Sequence, residues 1–258
     1  MRIAVLGGSG VVGRHVLDEA NRRGHDAVSH SRSSGVDLAT GAGLDAALQD
    51  ADAALDVTNV TTLRREPALR FFEATARQLQ AAAQRNGVAH LVVLSIVGID
   101  RFRSLGYYDA KVTQERLHLD GVVPATVLRA TQFHEFPLQI VARSTVGPVA
   151  MVPAMRVQTV AARSVAEALV DAAVGDPWRG RLPDVAGPGP PAMLPDLARR
   201  ALAKAGAATR VLSAPVPGAA GRATRSGAQL PAPDARLLGP SFEAWLDGPD
   251  GPGDAPTR

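Results

Sequence analysis

Short apolar runs alternate with longer stretches of helical periodicity over the first half of this chain. Ile3 to Leu6 is apolar with a β-branched bias, the pattern of a strand buried on both faces. Ala27 to His30, Ala53 to Val57, the nearly continuous run His90 to Ser95, and Ala125 to Arg129 predict further strands. Between them, Val11, Val12, Val16, Leu17 and Ala20 recur at helical spacing and stop near Gly24. A short helix is expected over Leu44 to Gln49 and a longer one over about Pro67 to Arg85. The latter has Leu69, Phe72, Ala76, Leu79 and Ala83 on one stripe and Gly87 as its stop. A fourth helix spans about Tyr107 to Leu119. Repeated strand–helix units of this length predict an α/β fold, a doubly wound parallel sheet of Rossmann type with right-handed crossovers.

Beyond Thr131 the pattern loosens. Phe133, Phe136 and Leu138 open a predicted helix reaching Arg143, Val157 to Val160 reads as a strand, and Ser164 reads as the cap of a helix running to Val174, with Glu167 completing a capping box. From Pro177 onward the composition shifts, because fourteen of the nineteen prolines lie there. Helical stretches persist at Leu194 to Ala205 and Phe242 to Leu246, with a short strand near Val211. These features predict an α/β domain over 1–176, within which 133–155 is expected to contribute to a pocket. A small loop-rich substrate or cap region over 177–258 follows, with a flexible Gly/Pro/Asp tail from about Asp247.

Composition narrows the chemistry. The 258 residues are 46% hydrophobic and 4% aromatic, suited to a globular core of Ala, Val and Leu. With no cysteine, disulfides, thiolate metal sites and a cysteine nucleophile are excluded. The net charge of +3 comes from scattered arginine pairs such as Arg22-Arg23, Arg64-Arg65 and Arg199-Arg200, not from a basic stripe, so no nucleic-acid partner is expected. The six histidines lack metal-ligand spacing, and no metal is expected. The longest apolar run, Leu91 to Ile99, is broken by Ser95 and Gly98 and is too short to span a bilayer. The first strand opens the sequence, so no leader segment is expected. The reading is a soluble cytoplasmic protein, monomer or homodimer, with a small-molecule substrate and no membrane partner.

Gly8, Gly10 and Gly13 match the G-x-G-x-x-G dinucleotide fingerprint, with a strand before them and a helix after. Gly8 is read as permitting the tight turn, Gly10 as letting backbone approach a pyrophosphate, and Gly13 as letting helix and strand sit close. Gly7, Ser9, Val11 and Val12 complete the candidate loop, whose helix N-terminus offers free N–H groups to phosphate. The second strand ends not in the acidic residue that holds an NAD ribose but in Ser31, Arg32, Ser33 and Ser34. An Arg among hydroxyls suits a 2′-phosphate, so NADP (NADPH) is preferred, with NAD possible. Asp37 and Leu38, and Thr58 and Asn59 at the carboxyl edge of the third strand, are further candidate cofactor contacts.

Tyr107 and Lys111 lie four residues apart, hence on one helix face, and Ser95 ends the preceding strand at the same sheet edge. The chain has only two Tyr, and Lys111 and Lys204 are its only lysines, which makes the spacing informative. A phenol of pKa near 10 is a poor acid–base catalyst at neutral pH, and a neighbouring ammonium would bring it closer to the working range. The serine hydroxyl can bond a substrate carbonyl. Phe133, His134, Phe136, Met151 and Met155 are candidates for a substrate pocket.

The glycine stretch, Leu94-Ser95-Ile96-Val97-Gly98, Tyr107-Tyr108-Asp109-Ala110-Lys111 and Arg129-Ala130-Thr131-Gln132-Phe133 together resemble the atypical short-chain dehydrogenase/reductases, NmrA-like branch. The similarity runs from Met1 to about Val174 and more loosely to Phe242-Glu243-Ala244-Trp245-Leu246. It implies a Rossmann domain binding NAD(P)H with a small C-terminal substrate region. By the same resemblance Tyr107 is the acid–base, Lys111 holds the nicotinamide ribose, Thr58 and Asn59 line the ribose path, and Thr131 lies near the carboxamide. Ala130 stands where many reductases have proline. The branch contains quinone and ketone reductases, isoflavone-reductase-like enzymes, and regulators that bind the dinucleotide without turnover. The regulators generally lack the Tyr–Lys pair, so the resemblance favours an NADPH-dependent reductase of a carbonyl or quinone-type molecule. A non-catalytic sensor and a cofactor-retaining epimerase, isomerase or lyase are the alternatives.

Overall fold

A computed structural model describes residues 1–62, 64–102 and 106–252. Strand β1 (Arg2–Leu6) leads into α1 (Val11–Arg22), followed by β2 (Asp26–His30), α2 (Leu44–Leu48), β3 (Ala53–Asp56), α3 (Arg65–Arg85), β4 (His90–Ile96), α4 (Gly106–Leu119) and β5 (Ala125–Ala130). After α5 (Phe136–Ser144) come β6 (Thr145–Val146), β7 (Val149–Pro153), β8 (Arg156–Val157), α6 (Ala162–Val174), β9 (Gly180–Arg181), β10 (Val185–Ala186) and β11 (Ala192–Met193). The chain ends with α7 (Leu194–Lys204), β12 (Arg210–Ala214), α8 (Gly218–Ser226), β13 (Arg236–Leu237) and α9 (Phe242–Leu246).

Two compact units result, one of Met1–Arg129 with Arg163–Pro183, the other of Ala130–Ala162 with the chain from Asp184 on. The first holds the sheet, in the order β2-β1-β3-β4-β5-β9. β1 pairs in parallel with both β2 and β3, so that Ile3 stands between Ala27 and Ala53, and β3 pairs in parallel with β4. Ile3, Val5, Leu55, Leu91 and Val92 are fully buried, as a strand covered on both faces demands. Phe72, Ala76, Leu79 and Ala83 of the α3 stripe are equally buried. One apolar cluster joins Leu6, Leu38, Leu44, Leu48, Leu79 and Leu91. The doubly wound α/β reading therefore holds.

The second unit has its own core, where Val141, Val152, Met155, Val157, Leu194, Leu197, Trp245 and Leu246 pack together. A three-stranded sheet, β12-β7-β6, lies against it, with β12 parallel to β7. β8 pairs antiparallel with β11, and Ala130 pairs with Val185 of β10.

Several expectations need correction here. The strand predicted over Val157 to Val160 is only Arg156–Val157, since Val160 instead forms an isolated bridge with Phe133. That bridge takes Phe133 out of α5, which starts at Phe136 with Pro137 in its first turn, where the missing N–H costs nothing. Ser164 does not cap α6: the helix begins at Ala162, so Ser164 sits inside the first turn and Glu167 cannot close a capping box. Ala161 and Ala162 are buried, and their packing carries the helix start upstream of the polar signal. Of the tail, Asp247 accepts a 2.6 Å bond from Lys204 and Gly251 N–H bonds Gly248, while 253–258 lie outside the described residues. Among the described residues no helix is long and apolar enough to cross a membrane.

Candidate functional site

The loop between β1 and α1 is built by backbone constraints that only glycine meets. Gly7 has φ +86°, so the left-handed turn belongs to Gly7 and not, as expected, to Gly8. Gly8 packs onto Ser29 of β2, where a Cβ would stand 2.4 Å from the hydroxyl oxygen. At Gly13 a Cβ would meet the Gly7 carbonyl oxygen at 2.3 Å and the Gly8 Cα at 2.6 Å, so α1 can approach the loop this closely only without a side chain. Gly10 differs: its Cβ position meets only the Gly7 oxygen, at 3.3 Å, leaving its outer side open. No side chain caps α1, so the amides of Val11, Val12 and Gly13 keep their donors for a ligand. The loop could hold a diphosphate there, with Ser9 and Gly10 exposed beside it.

At the end of β2, Ser31 to Ser34 close into a tight turn. Ser31 N–H donates to Ser34 Oγ at 2.9 Å, and the Ser31 and Ser33 hydroxyls lie 2.8 Å apart. Arg32 is exposed, and Leu38 is buried under the following loop. Asp37 turns its carboxylate onto the Ala39 N–H, at 2.9 Å.

β3 ends in a carboxylate that is only 1% exposed, Asp56. Its Oδ1 accepts from the Thr58 N–H at 3.0 Å and the Thr58 hydroxyl at 2.5 Å, fixing the chain as it leaves the sheet. The Gly7 Cβ position is 3.1 Å from Thr58 N, so this exit abuts the glycine loop. Asn59 follows, exposed, and its Oδ1 accepts from the Tyr107 hydroxyl at 2.7 Å. The Tyr107 ring is half-buried against Phe72, edge-on with centroids 5.8 Å apart. Burial pushes the Tyr107 phenol above its ordinary pKa, Tyr108 adds to the rise, and the bond to Asn59 opposes it.

Lys111 takes another direction. It is 3% exposed and donates to the Leu94 carbonyl at 2.9 Å and to Gln114 Oε1 at 2.5 Å, with its ammonium 4.9 Å from the Phe72 ring centroid. Burial lowers its pKa to about 8, against the opposing charges of Asp56 and Glu115. The ammonium is thus not among the groups that set the Tyr107 pKa, and the phenol is raised where lowering was expected. Gln114 Nε2 donates in turn to Asp56 Oδ2 at 2.7 Å, and His118 Nε2 lies 3.5 Å from the same oxygen. Burial alone would raise the Asp56 pKa, but His118, Thr58 and Lys111 together bring it below the usual carboxylate value. Asp56, Gln114 and His118 were not anticipated. Their signal was an acid closing an apolar strand and polar residues three and seven positions after Lys111 on its helix face.

Ser95, at the end of β4, is 2% exposed, and its hydroxyl has no hydrogen-bond partner among the described residues. It follows the carbonyl that Lys111 holds. Tyr107 and Asn59 therefore meet in the first unit where the chain leaves β3, and Lys111 reaches the backbone just before Ser95 at the end of β4, both at the carboxyl edge of the sheet, where open α/β sheets take ligands.

The other candidates belong to the second unit. The Thr131 N–H bonds Val185, and its buried hydroxyl has no partner among the described residues. His134 is fully buried, with Nδ1 2.7 Å from the Thr159 hydroxyl and Nε2 3.1 Å from the Pro240 carbonyl, between Phe242 and Trp245. Burial lowers its pKa to about 4. Met155 is part of the apolar core and Phe136 packs on its edge, Phe133 is half-buried, and Met151 is exposed on β7.

Neither a protein-family model nor a curated protein sequence matches the chain. Solved structures do. A UDP-N-acetylglucosamine 4-epimerase from Bacillus cereus superposes with a TM-score of 0.68 at 15% identity, covering 95% of this chain and 93% of that one. MoeE5 in complex with UDP-glucose and NAD gives 0.67 at 15% identity, covering 83% and 85%. The NADPH complex of the quinone oxidoreductase QOR2 from Escherichia coli gives 0.62 at 18% identity, covering 83% and 78%. At such identities the likeness establishes a shared Rossmann-type fold.

Proposed function

We propose that this chain is an NADPH-dependent oxidoreductase of the atypical short-chain dehydrogenase/reductase type that reduces a carbonyl or quinone-type small molecule. The observation that carries the reading is the 2.7 Å bond between Tyr107 and Asn59, formed where the strand exit abuts the glycine loop. A nicotinamide dinucleotide bound there supplies a hydride. The amides of Val11, Val12 and Gly13 hold its diphosphate, Ser31 and Arg32 its 2′-phosphate, and Thr58 and Asn59 its ribose path. Ser95 offers its free hydroxyl to the substrate oxygen, and Tyr107 delivers the proton to that oxygen. The Tyr107 phenol is protonated at neutral pH, the form a proton donor needs in the reducing direction, although its raised pKa makes it a weaker acid than a free tyrosine. Likeness to an NADPH-dependent quinone oxidoreductase supports the choice.

The test measures NADPH consumption against a panel of quinones and ketones. Tyr107→Phe should lower kcat by about a hundredfold or more while NADPH affinity stays within about twofold. Tight NADPH binding without turnover of any compound would make the chain a dinucleotide-binding regulator. Arg32→Ala should erode the preference for NADPH over NADH, and an unchanged preference would remove Arg32 from the 2′-phosphate site. The coverage of 95% by a sugar 4-epimerase supports a second reading, isomerisation with a retained cofactor. Isomer formation from a sugar nucleotide with no net cofactor oxidation would select it.

A further inference from the structure

The carboxylate of Asp56 has no place among the groups assigned to cofactor or substrate, yet it lies where the ends of β3, β4 and α4 are bonded together. We propose that Asp56 is a positioning residue, which through Thr58 on one side and Gln114 and Lys111 on the other fixes the ends of β3, β4 and α4 to one another. This inference rests on the oxidoreductase reading for what is positioned, and on the bonds alone for how.

The chain of bonds is continuous. Asp56 Oδ1 holds both donors of Thr58, the residue before Asn59, which in turn holds the Tyr107 phenol. Asp56 Oδ2 takes the Gln114 amide, Gln114 Oε1 takes Lys111, and Lys111 grips the carbonyl of Leu94, the residue before Ser95. Tyr107, Lys111 and Gln114 are successive residues of one α4 face. Asn59, Ser95 and Tyr107 are each one covalent or helical step from this chain. Asp56, Lys111 and Gln114 are at most 3% exposed, and a buried ionic chain is a poor way to gain stability compared with apolar packing of the same volume. Its presence at the sheet edge that carries the site is explained by placement.

Hydrogen-bond polarity explains why residue 56 must be an acid. Lys111 can only donate, so Gln114 must turn its oxygen to it and its amide to residue 56, which must accept. With Asp56→Asn one donor faces another: at Gln114 if that amide stays put, or at Lys111 if it flips. The Asn oxygen can still serve Thr58. Asp56→Asn combined with Gln114→Glu moves the carboxylate one step along the chain, restores acceptors at both junctions and keeps the formal charge.

The experiment compares wild type, Asp56→Asn, and the Asp56→Asn/Gln114→Glu double variant for NADPH affinity, kcat, and the ¹³Cζ resonances of the two tyrosines, assigned through Tyr108→Phe. Asp56→Asn should lower kcat about tenfold or more with NADPH affinity within about threefold, and the double variant should recover kcat to within about threefold of wild type. The Tyr107 resonance should move in the single variant and return in the double. A Tyr107 resonance unmoved by Asp56→Asn, or a double variant no better than the single one, would overturn the proposal. If wild type turns over no compound, the oxidoreductase reading fails, and the resonances alone still decide the role of Asp56.

Discussion

At the scale of single residues, burial outweighs the local charge partner that sequence spacing suggested. Tyr107 and Lys111 share a helix face, as a separation of four dictates, but the ammonium follows the interior route to Leu94 and Gln114 while the phenol turns to Asn59. Spacing fixes the face of a helix and not the rotamer, so the pair was legible and its chemistry was not. Burial has a consequence for pH as well. Lys111 has a pKa of about 8 in the folded chain and an ordinary lysine value of about 10.4 when unfolded. Between these values the unfolded chain binds more protons, so stability should rise as pH climbs from about 8 toward 10.4. Urea unfolding of wild type at both ends of that window should show the gain, and Lys111→Met should shrink it. His134, held at about 4 by burial, should keep a neutral ring at pH values where a free histidine is protonated. NMR of its ring protons is the check, and titration near the ordinary histidine value would contradict the burial.

At the scale of elements, hydrophobic patterning found the strands and α3, because their buried faces are apolar. It described α4 less fully, because the face this helix buries is polar: Asp109, Lys111, Gln114, Glu115 and His118 are all covered. Glu115, fully buried, takes Arg129 at 2.8 and 2.7 Å and Arg181 at 2.9 Å, so the helix is anchored by ion pairs where α3 is anchored by side-chain packing. The start of α4 is set by a close approach. A Cβ on Gly106 would stand 2.2 Å from the Arg65 Cβ and 2.4 Å from its Cα, at the start of α3. Gly106→Ala should therefore displace the turn that carries Tyr107. The expected cost is about 1–3 kcal/mol of stability by chemical denaturation, with a loss of turnover greater than the loss of NADPH affinity. The second unit was less legible because its strands run two to five residues, too short for periodicity to register; yet β7 alternates buried Ala150 and Val152 with exposed Met151, a pattern the sequence did carry.

At the scale of the whole molecule, chain order and packing order differ. Residues 130–162 precede α6 in sequence but share a core with the chain from Asp184 on, and such long-range pairing leaves no mark in local composition. β12 pairs with β7 and β11 with β8, so a chain truncated after Pro183 would leave β7 with only the short β6 beside it and β8 unpaired, and would uncover Val152 and Val157. That truncation should bind a hydrophobic dye and aggregate, and a soluble monodisperse product would show the pairing to be dispensable. The full chain also carries its own reporter. Of the two lysines, Lys204 is exposed, with 46% of its side chain accessible, and Lys111 is sealed. An amine-reactive reagent should tag Lys204 and the N-terminus within minutes and reach position 111 only through rare opening of the fold, so slow acylation there would time that breathing without any engineered label.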